Sequence, residues 1–300
     1  MNHGDRNKKG GAHRSRAVVL GAGGPVGRAW QSGLIAGLIE RESDLGDASL
    51  IIGTSAGAVV GAQLALSEAF GAPPKIDTPP PIYSGNMVDL GIAMARATQS
   101  PEPELIRAEI GKIALDAQTI SEEASVSRSM FAPFVGQPWP NQFRATTVNA
   151  RTGKLQVWDA SSGTPLERAL AASTAVPGIW PPITINGERY IDGGVRSMLN
   201  ADLAIGSDIV IAVSCFPLTA RDKAVPAFFT AMNAAPLAEL DALRGSGATL
   251  AVIEPHSEFL VLTKHGAAMM DSNLVPEAYR LGHITGLGEA ESVGRVWNSH

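Results

Sequence analysis

Apolar and small residues repeat one plan twice near the start of the chain. In RAVVLGAGGPVGRAWQSGLIAGLIERE a short β-branched run meets a glycine-rich turn, then an amphipathic helical pattern that reaches about Glu42. In LIIGTSAGAVVGAQLALSEAF, Leu50 to Ile52 reads as a buried strand, followed by a tight turn and a helix ending near Phe70. Two strand-turn-helix units in succession predict an α/β fold: a mostly parallel sheet as the middle of three α/β/α layers.

The pattern then changes. Five prolines between Pro73 and Pro81 stop the second helix. From Gly85 to about Gln137 the apolar positions, among them Met87, Ile92, Met94, Leu105, Ile106, Ile110, Ile113 and Leu115, fall at helical spacing. This predicts a helical insertion after the second helix, covering the sheet edge. FRATTVNARTGKLQVWDA reads as two strands joined at NARTG. TPLERALAASTAVPG opens a helix with Thr164 as cap, Pro165 at the first helical position and Glu167 following. In PPITINGERYIDGG, Asn186-Gly187 between alternating runs predicts a hairpin whose second strand ends at Asp192. SDIVIAVSCF and ATLAVIEP read as further strands, and no internal repeat is present.

Composition narrows the class. Hydrophobic residues make up 45% and charged residues 18% of 300, enough for a sizeable core. The expected organisation is a disordered basic tail over 1–15 and one domain over 16–300, with the insertion at 85–137 and a helical C-terminal portion at 226–300. A formal net charge of −5 argues against a nucleic-acid surface. Basic residues concentrate only in MNHGDRNKKGGAHRSR, which reads as a solvated tail able to make weak contact with an anionic surface. That tail lacks the apolar middle of a secretory signal, and no later apolar run is long enough to span a bilayer, so a cytoplasmic location with peripheral membrane contact is expected. The single cysteine, Cys215, excludes an internal disulfide and a cysteine-rich zinc site, and reads as a small buried apolar group.

Chemistry concentrates in three glycine-flanked sites. GTSAG places Ser55 between Gly53 and Gly57 where a strand turns sharply into a helix, which is either an ordinary tight turn or a nucleophile elbow. The helix amino terminus that follows favours an anion, such as a tetrahedral oxyanion. Upstream, Gly21, Gly23, Gly24 and Gly27 form a loop that presents backbone N–H groups toward one point, as a dinucleotide pyrophosphate or an oxyanion requires. The dinucleotide reading expects an acidic residue at the end of the second strand, and that strand ends in Gly53-Thr54-Ser55 instead. A serine needs a base. Of six histidines, His3 and His13 lie in the tail, His300 is terminal, and His256, His265 and His283 lie late. Asp192, at a strand end before Gly193 and Gly194, is the better-placed partner. A serine–acid–histidine triad using His256 or His283, and a nucleotide-binding module using the glycine loop alone, stand as rivals.

The ordered set GAGGPVG, GTSAG and DGG, with ASTAVPGIWPPI before the hairpin, resembles the patatin-like phospholipase family across about Ala17 to Val213. The resemblance implies a patatin-like α/β/α fold and a Ser55–Asp192 dyad that hydrolyses lipid or acyl esters. It further implies an oxyanion hole at Gly23, Gly24 and Ala56, with no metal and no cofactor. The chain departs from the family at Val26, where a basic residue is usual, with Arg28 two positions on. Met87, Met94 and Met130 are candidates for an acyl pocket or for ordinary core, and Trp180 for its mouth or for packing. Which lipid is cleaved, and the oligomeric state, stay open at this point.

Overall fold

A computed structural model of the chain describes residues 14–75, 87–218 and 232–299. Residues 1–13 of the tail, the Pro79–Pro81 run and the start of the predicted C-terminal portion lie outside the described residues, whereas Ser15 is tied to Asp208. Eight strands form one sheet: β1 (Arg16–Leu20), β2 (Leu50–Thr54), β3 (Phe143–Asn149), β4 (Leu155–Trp158), β5 (Ile183–Ile185), β6 (Glu188–Asp192), β7 (Ile209–Val213) and β8 (Thr249–Ile253). Their order is β5-β6-β3-β2-β1-β7-β8, with β4 also pairing β3. The β1–β2, β2–β3, β1–β7 and β7–β8 pairs are parallel, and the β3–β4, β3–β6 and β5–β6 pairs antiparallel.

β7 is apolar at every position, and β1 at every position after Arg16, because both faces of the sheet are covered there. Val18, Leu20, Ile211 and Val213 face one layer, and Ala17, Val19, Val210 and Ala212 face the other. The first layer holds α1 (Gly24–Glu40), α2 (Ala56–Ala65), α6 (Leu166–Ser173), α8 (Ser257–Leu262) and α9 (Val275–Trp297). The second holds α7 (Ala234–Gly245), α3 (Met87–Gln99) and α4 (Pro103–Asp116), while the short α5 (Glu122–Val126) lies against α6. This is the expected three-layer α/β/α fold.

Several expectations shift. The helices of the insertion lie on a face of the sheet, not its edge: Met94, Ile110 and Ala114 pack against Val148 and Ile191 of β3 and β6, whose apolar side chains need cover there. α2 stops at Ala65 rather than Phe70, because Leu66 caps it and Ser67 takes a left-handed φ of 56°. α6 starts one residue later than read, with Pro165 itself as cap; the buried Thr164 hydroxyl has no partner among the described residues. The stretch expected to be helical from 226 also contains β8, the strand read from ATLAVIEP, which ends the sheet order and is mostly half-buried. The Asn186-Gly187 turn has φ of 53° and 82°, the type I′ geometry that matches hairpin twist.

α1 lies along α9 at very close approach, backbone against backbone. A Cβ on Gly282 would sit 2.0 Å from the Trp30 carbonyl oxygen, and one on Gly286 2.2 Å from that of Leu34. Since α1 begins at the glycine loop, this packing fixes where the loop points. Gly282→Ala should therefore lower unfolding free energy by about 1–3 kcal/mol despite its better helix propensity, read as a shift of the urea midpoint.

Candidate active site

The carboxyl ends of β1 and β2 lie where the chain leaves the middle of the sheet in both directions, toward β2 and toward β7, the usual place for a ligand crevice. Ser55 follows β2 directly. Its φ of 54° and ψ of −117° form a strained turn that a non-glycine residue holds only when its surroundings enforce it. The enforcement is visible. A Cβ on Gly57 would meet the Leu20 carbonyl oxygen at 2.1 Å, and one on Gly53 would meet Ala58 Cα at 2.4 Å. The Ser55 N–H donates to Ser173 Oγ of α6 at 3.0 Å, and the Gly57 N–H donates to the Gly21 carbonyl at 3.1 Å.

Asp192 ends β6, where its N–H donates to the Ala175 carbonyl at 3.0 Å. Ser55 Oγ donates to Asp192 Oδ2 at 2.6 Å, and the Gly194 N–H donates to Oδ1 at 2.7 Å. Gly193 is pressed against Thr146, so a side chain there would collide with its hydroxyl at 2.3 Å. Both dyad candidates are buried, at 4% and 5% exposure. Burial pushes the Asp192 carboxyl up to about 7, against the opposing pull of the Ser55 and Gly194 hydrogen bonds. A carboxyl so placed can take a proton near neutral pH.

The glycine loop reaches the same point. Gly21 and Ala22 N–H groups are used on the Val213 and Met198 carbonyls, and Gly27 N–H on that of Gly23. Among the described residues, no partner is found for the N–H groups of Gly23, Gly24 or Ala56, which open α1 and α2. Gly24 adopts φ of 59°, with Met269 too close for a side chain. Cys215 supports the loop from below: its Sγ takes a hydrogen bond from Gln31 Nε2 at 2.9 Å, and burial pushes its thiol up to about 12. It is a packing group, as the sequence suggested.

Two cavities open beside Ser55. The larger, about 190 Å³, holds Ser55, Asp192, Gly23 and Gly24 on one side and an apolar wall including Leu90, Met94, Met198 and Met270 on the other. The smaller, about 50 Å³, is bounded by Arg28, Arg128, Met130 and Trp180, with the Arg128 guanidinium 3.8 Å from the Trp180 ring centroid. Met94 and Met130 thus line separate cavities, and the Met87 side chain lies outside the described residues. Val26 is fully buried in the core, and the basic residues on the cavity with Ser55 are Arg28 and Arg128.

Sequence reasoning missed the layer beneath the elbow. Asn200, fully buried in left-handed conformation, has its amide orientation fixed by chemistry: Arg196 Nη1 can only donate, so it meets Oδ1, at 2.7 Å. Nδ2 then donates to the Ser197 carbonyl at 2.9 Å and to Thr54 Oγ1 at 3.0 Å, with the Gly193 carbonyl at 3.3 Å. Asn200 so ties the residue before Ser55 to the residue after Asp192. Glu239 of α7 anchors the same loop through Ser197 Oγ and the Ala201 N–H. Its only sequence signal was an asparagine eight residues beyond Asp192.

The family model for patatin-like phospholipase matches residues 92–205, which include Asp192. Over those residues the chain is similar to patatin-like phospholipases. Uncharacterized NTE family proteins of Mycobacterium bovis and Mycobacterium tuberculosis are 30% identical to this chain over 202 residues, 66% of it and 48% of each of them. The chain spans about half the length of these relatives. The crystal structure of VipD from Legionella pneumophila superposes with a TM-score of 0.48 at 14% identity, covering 94% of this chain and 67% of its own.

If Asn200 holds the elbow in register, Asn200→Gly, which keeps the left-handed backbone, and Thr54→Val should each slow modification of Ser55 by a fluorophosphonate about 10- to 100-fold. The double variant should be no slower than the slower single, a coupling that a stopped-flow double-mutant cycle measures.

Proposed function

We propose that this chain is a serine lipid acyl hydrolase, acting on carboxylic esters of the phospholipase A, lysophospholipase or lipase type through a Ser55–Asp192 dyad. One observation carries the reading: the 2.6 Å contact from Ser55 Oγ to a buried Asp192, beside three unpaired N–H groups and an apolar cavity. Likeness to patatin-like phospholipases over residues 92–205 supports it independently.

In the first step Asp192 Oδ2 takes the Ser55 hydroxyl proton as Oγ attacks the ester carbonyl. The N–H groups of Gly23, Gly24 and Ala56 bind the oxyanion, aided by the amino termini of α1 and α2. Asp192 returns the proton to the leaving alcohol, and water repeats the sequence on the acyl-enzyme. The apolar cavity suits the acyl chain, because methionine side chains adapt to chains of different shape. No described helix is long and apolar enough to cross a membrane, which suits an enzyme that meets lipid from the aqueous, cytoplasmic side and contacts the membrane only peripherally.

The triad rival loses its base. His256 faces Glu289 at 3.7 Å and His283 faces Glu40 at 2.9 Å, and neither lines a cavity containing Ser55. His256→Ala and His283→Ala should therefore retain activity. Ser55→Ala and Asp192→Asn should each lose at least about a thousandfold in esterase kcat, and Ser55→Ala should lose fluorophosphonate labelling altogether. Labelling that survives Ser55→Ala sinks the assignment.

Acidity supplies a further check. With Asp192 required as carboxylate and its pKa near 7, kcat/KM should fall about tenfold per pH unit below that value. Stability moves the other way. The folded state holds its proton more tightly than the unfolded chain, whose aspartate titrates near 3.8, so this group's stabilisation is present below that pH and is lost as pH rises through about 7. Asp192→Asn should consequently melt above the parent at pH about 8, measured by calorimetry.

A further inference from the structure

We propose that a third cavity, about 230 Å³ between the end of α3, the first turns of α4 and the start of α7, is a binding site for a small oxyanion such as a phosphate group. Arg107 of α4 lines it and is only 8% exposed. Among the described residues Arg107 makes no hydrogen bond and no ion pair, and its Nε is wholly shielded without a partner. A guanidinium withdrawn from water in this way is costly unless something negative meets it.

The neighbouring charges leave that role open. Arg196, also on the wall, is already answered: Asp202 takes both its terminal nitrogens, at 2.9 and 2.6 Å, and Glu239 lies 3.6 Å away. Glu239 lines the cavity too, but its Oε2 is engaged by Ser197 and Ala201, and burial pushes its carboxyl up to about 7. The arrangement is thus short of negative charge at Arg107. Burial and the like charge of Arg196 together hold the Arg107 guanidinium below its ordinary value, outweighing the opposing pull of Glu104 one turn back on α4, which forms no ion pair with it. Ala234 and Ala235, the first turn of the 12-residue α7, close the cavity and present the positive end of that helix. A fork of guanidinium donors facing a helix amino terminus is the geometry that phosphate oxygens accept. Arg196 also holds Asn200, so this cavity is in physical continuity with the elbow.

The test uses the full chain, titrated with inorganic phosphate at constant ionic strength, by calorimetry and thermal unfolding. Saturable binding with a rise in Tm is expected at millimolar phosphate. In Arg107→Met, affinity should fall at least about tenfold, while the phosphate-free variant should melt no lower than the parent. A second arm measures cosedimentation with phosphatidylcholine vesicles with and without phosphatidate. Binding that needs both phosphatidate and Arg107 identifies a lipid headgroup as the source, and binding of inorganic phosphate alone identifies the free anion. The proposal is overturned if phosphate does no more than matched chloride, if Arg107→Met binds as well as the parent, or if that variant fails to fold without phosphate.

Discussion

A carboxyl group withdrawn from water, touching a strained serine, is the contact on which the rest of the arrangement depends. Among the described residues, Asp192 has only Ser55 and the Gly194 N–H as donors, so its negative charge is poorly solvated and its proton affinity rises. That same burial destabilises the ionised fold. The surrounding structure therefore has to hold two chain segments, 137 residues apart in sequence, within hydrogen-bond distance. Ser173 does so for the serine backbone, Ala175 for the aspartate backbone, and Asn200 for the residues adjoining both. Each acts from a different element, so the geometry is over-determined in the manner that a strained residue requires.

Sheet topology explains why these segments meet. β1 lies between β2 and β7, and the chain ends of β1 and β2 open into the same crevice. Parallel strands deliver both glycine turns to one edge, and the helices that follow aim their amino termini there. β6 arrives antiparallel to β3, which brings its carboxyl end down beside Thr146 and Thr54. The antiparallel hairpin is thus what carries an acid from a remote part of the chain to a site built by parallel strands. The proposed dyad, oxyanion donors and acyl cavity are consequences of this one crossing.

The methionines show the difference between pattern and place. Helical spacing marked Met94 and Met130 as apolar without saying which surface they would face. In the fold they wall different cavities beside the same hydroxyl. The departure at Val26 shows the same: Val26 packs into the core, while Arg28, on the same helix, lines the smaller cavity beside Ser55.

The amino-acid sequence by itself determined the alternation of strands, turns and helices, since apolar period and glycine or proline punctuation are local properties. It also marked Ser55, Asp192 and the loop glycines, because tight turns and close backbone approach leave few residue types available. The insertion's seat on the sheet face, the ends of α2 and α6, and the layer of Asn200, Ser173 and Glu239 were decided only in three dimensions. Their roles rest on hydrogen bonds between residues far apart in sequence, and an isolated asparagine or glutamate looks the same whether it faces solvent or holds an active site together. The unanswered charge of Arg107 belongs to this second class: burial, which no local pattern encodes, turns an ordinary surface-type residue into a group that requires a partner.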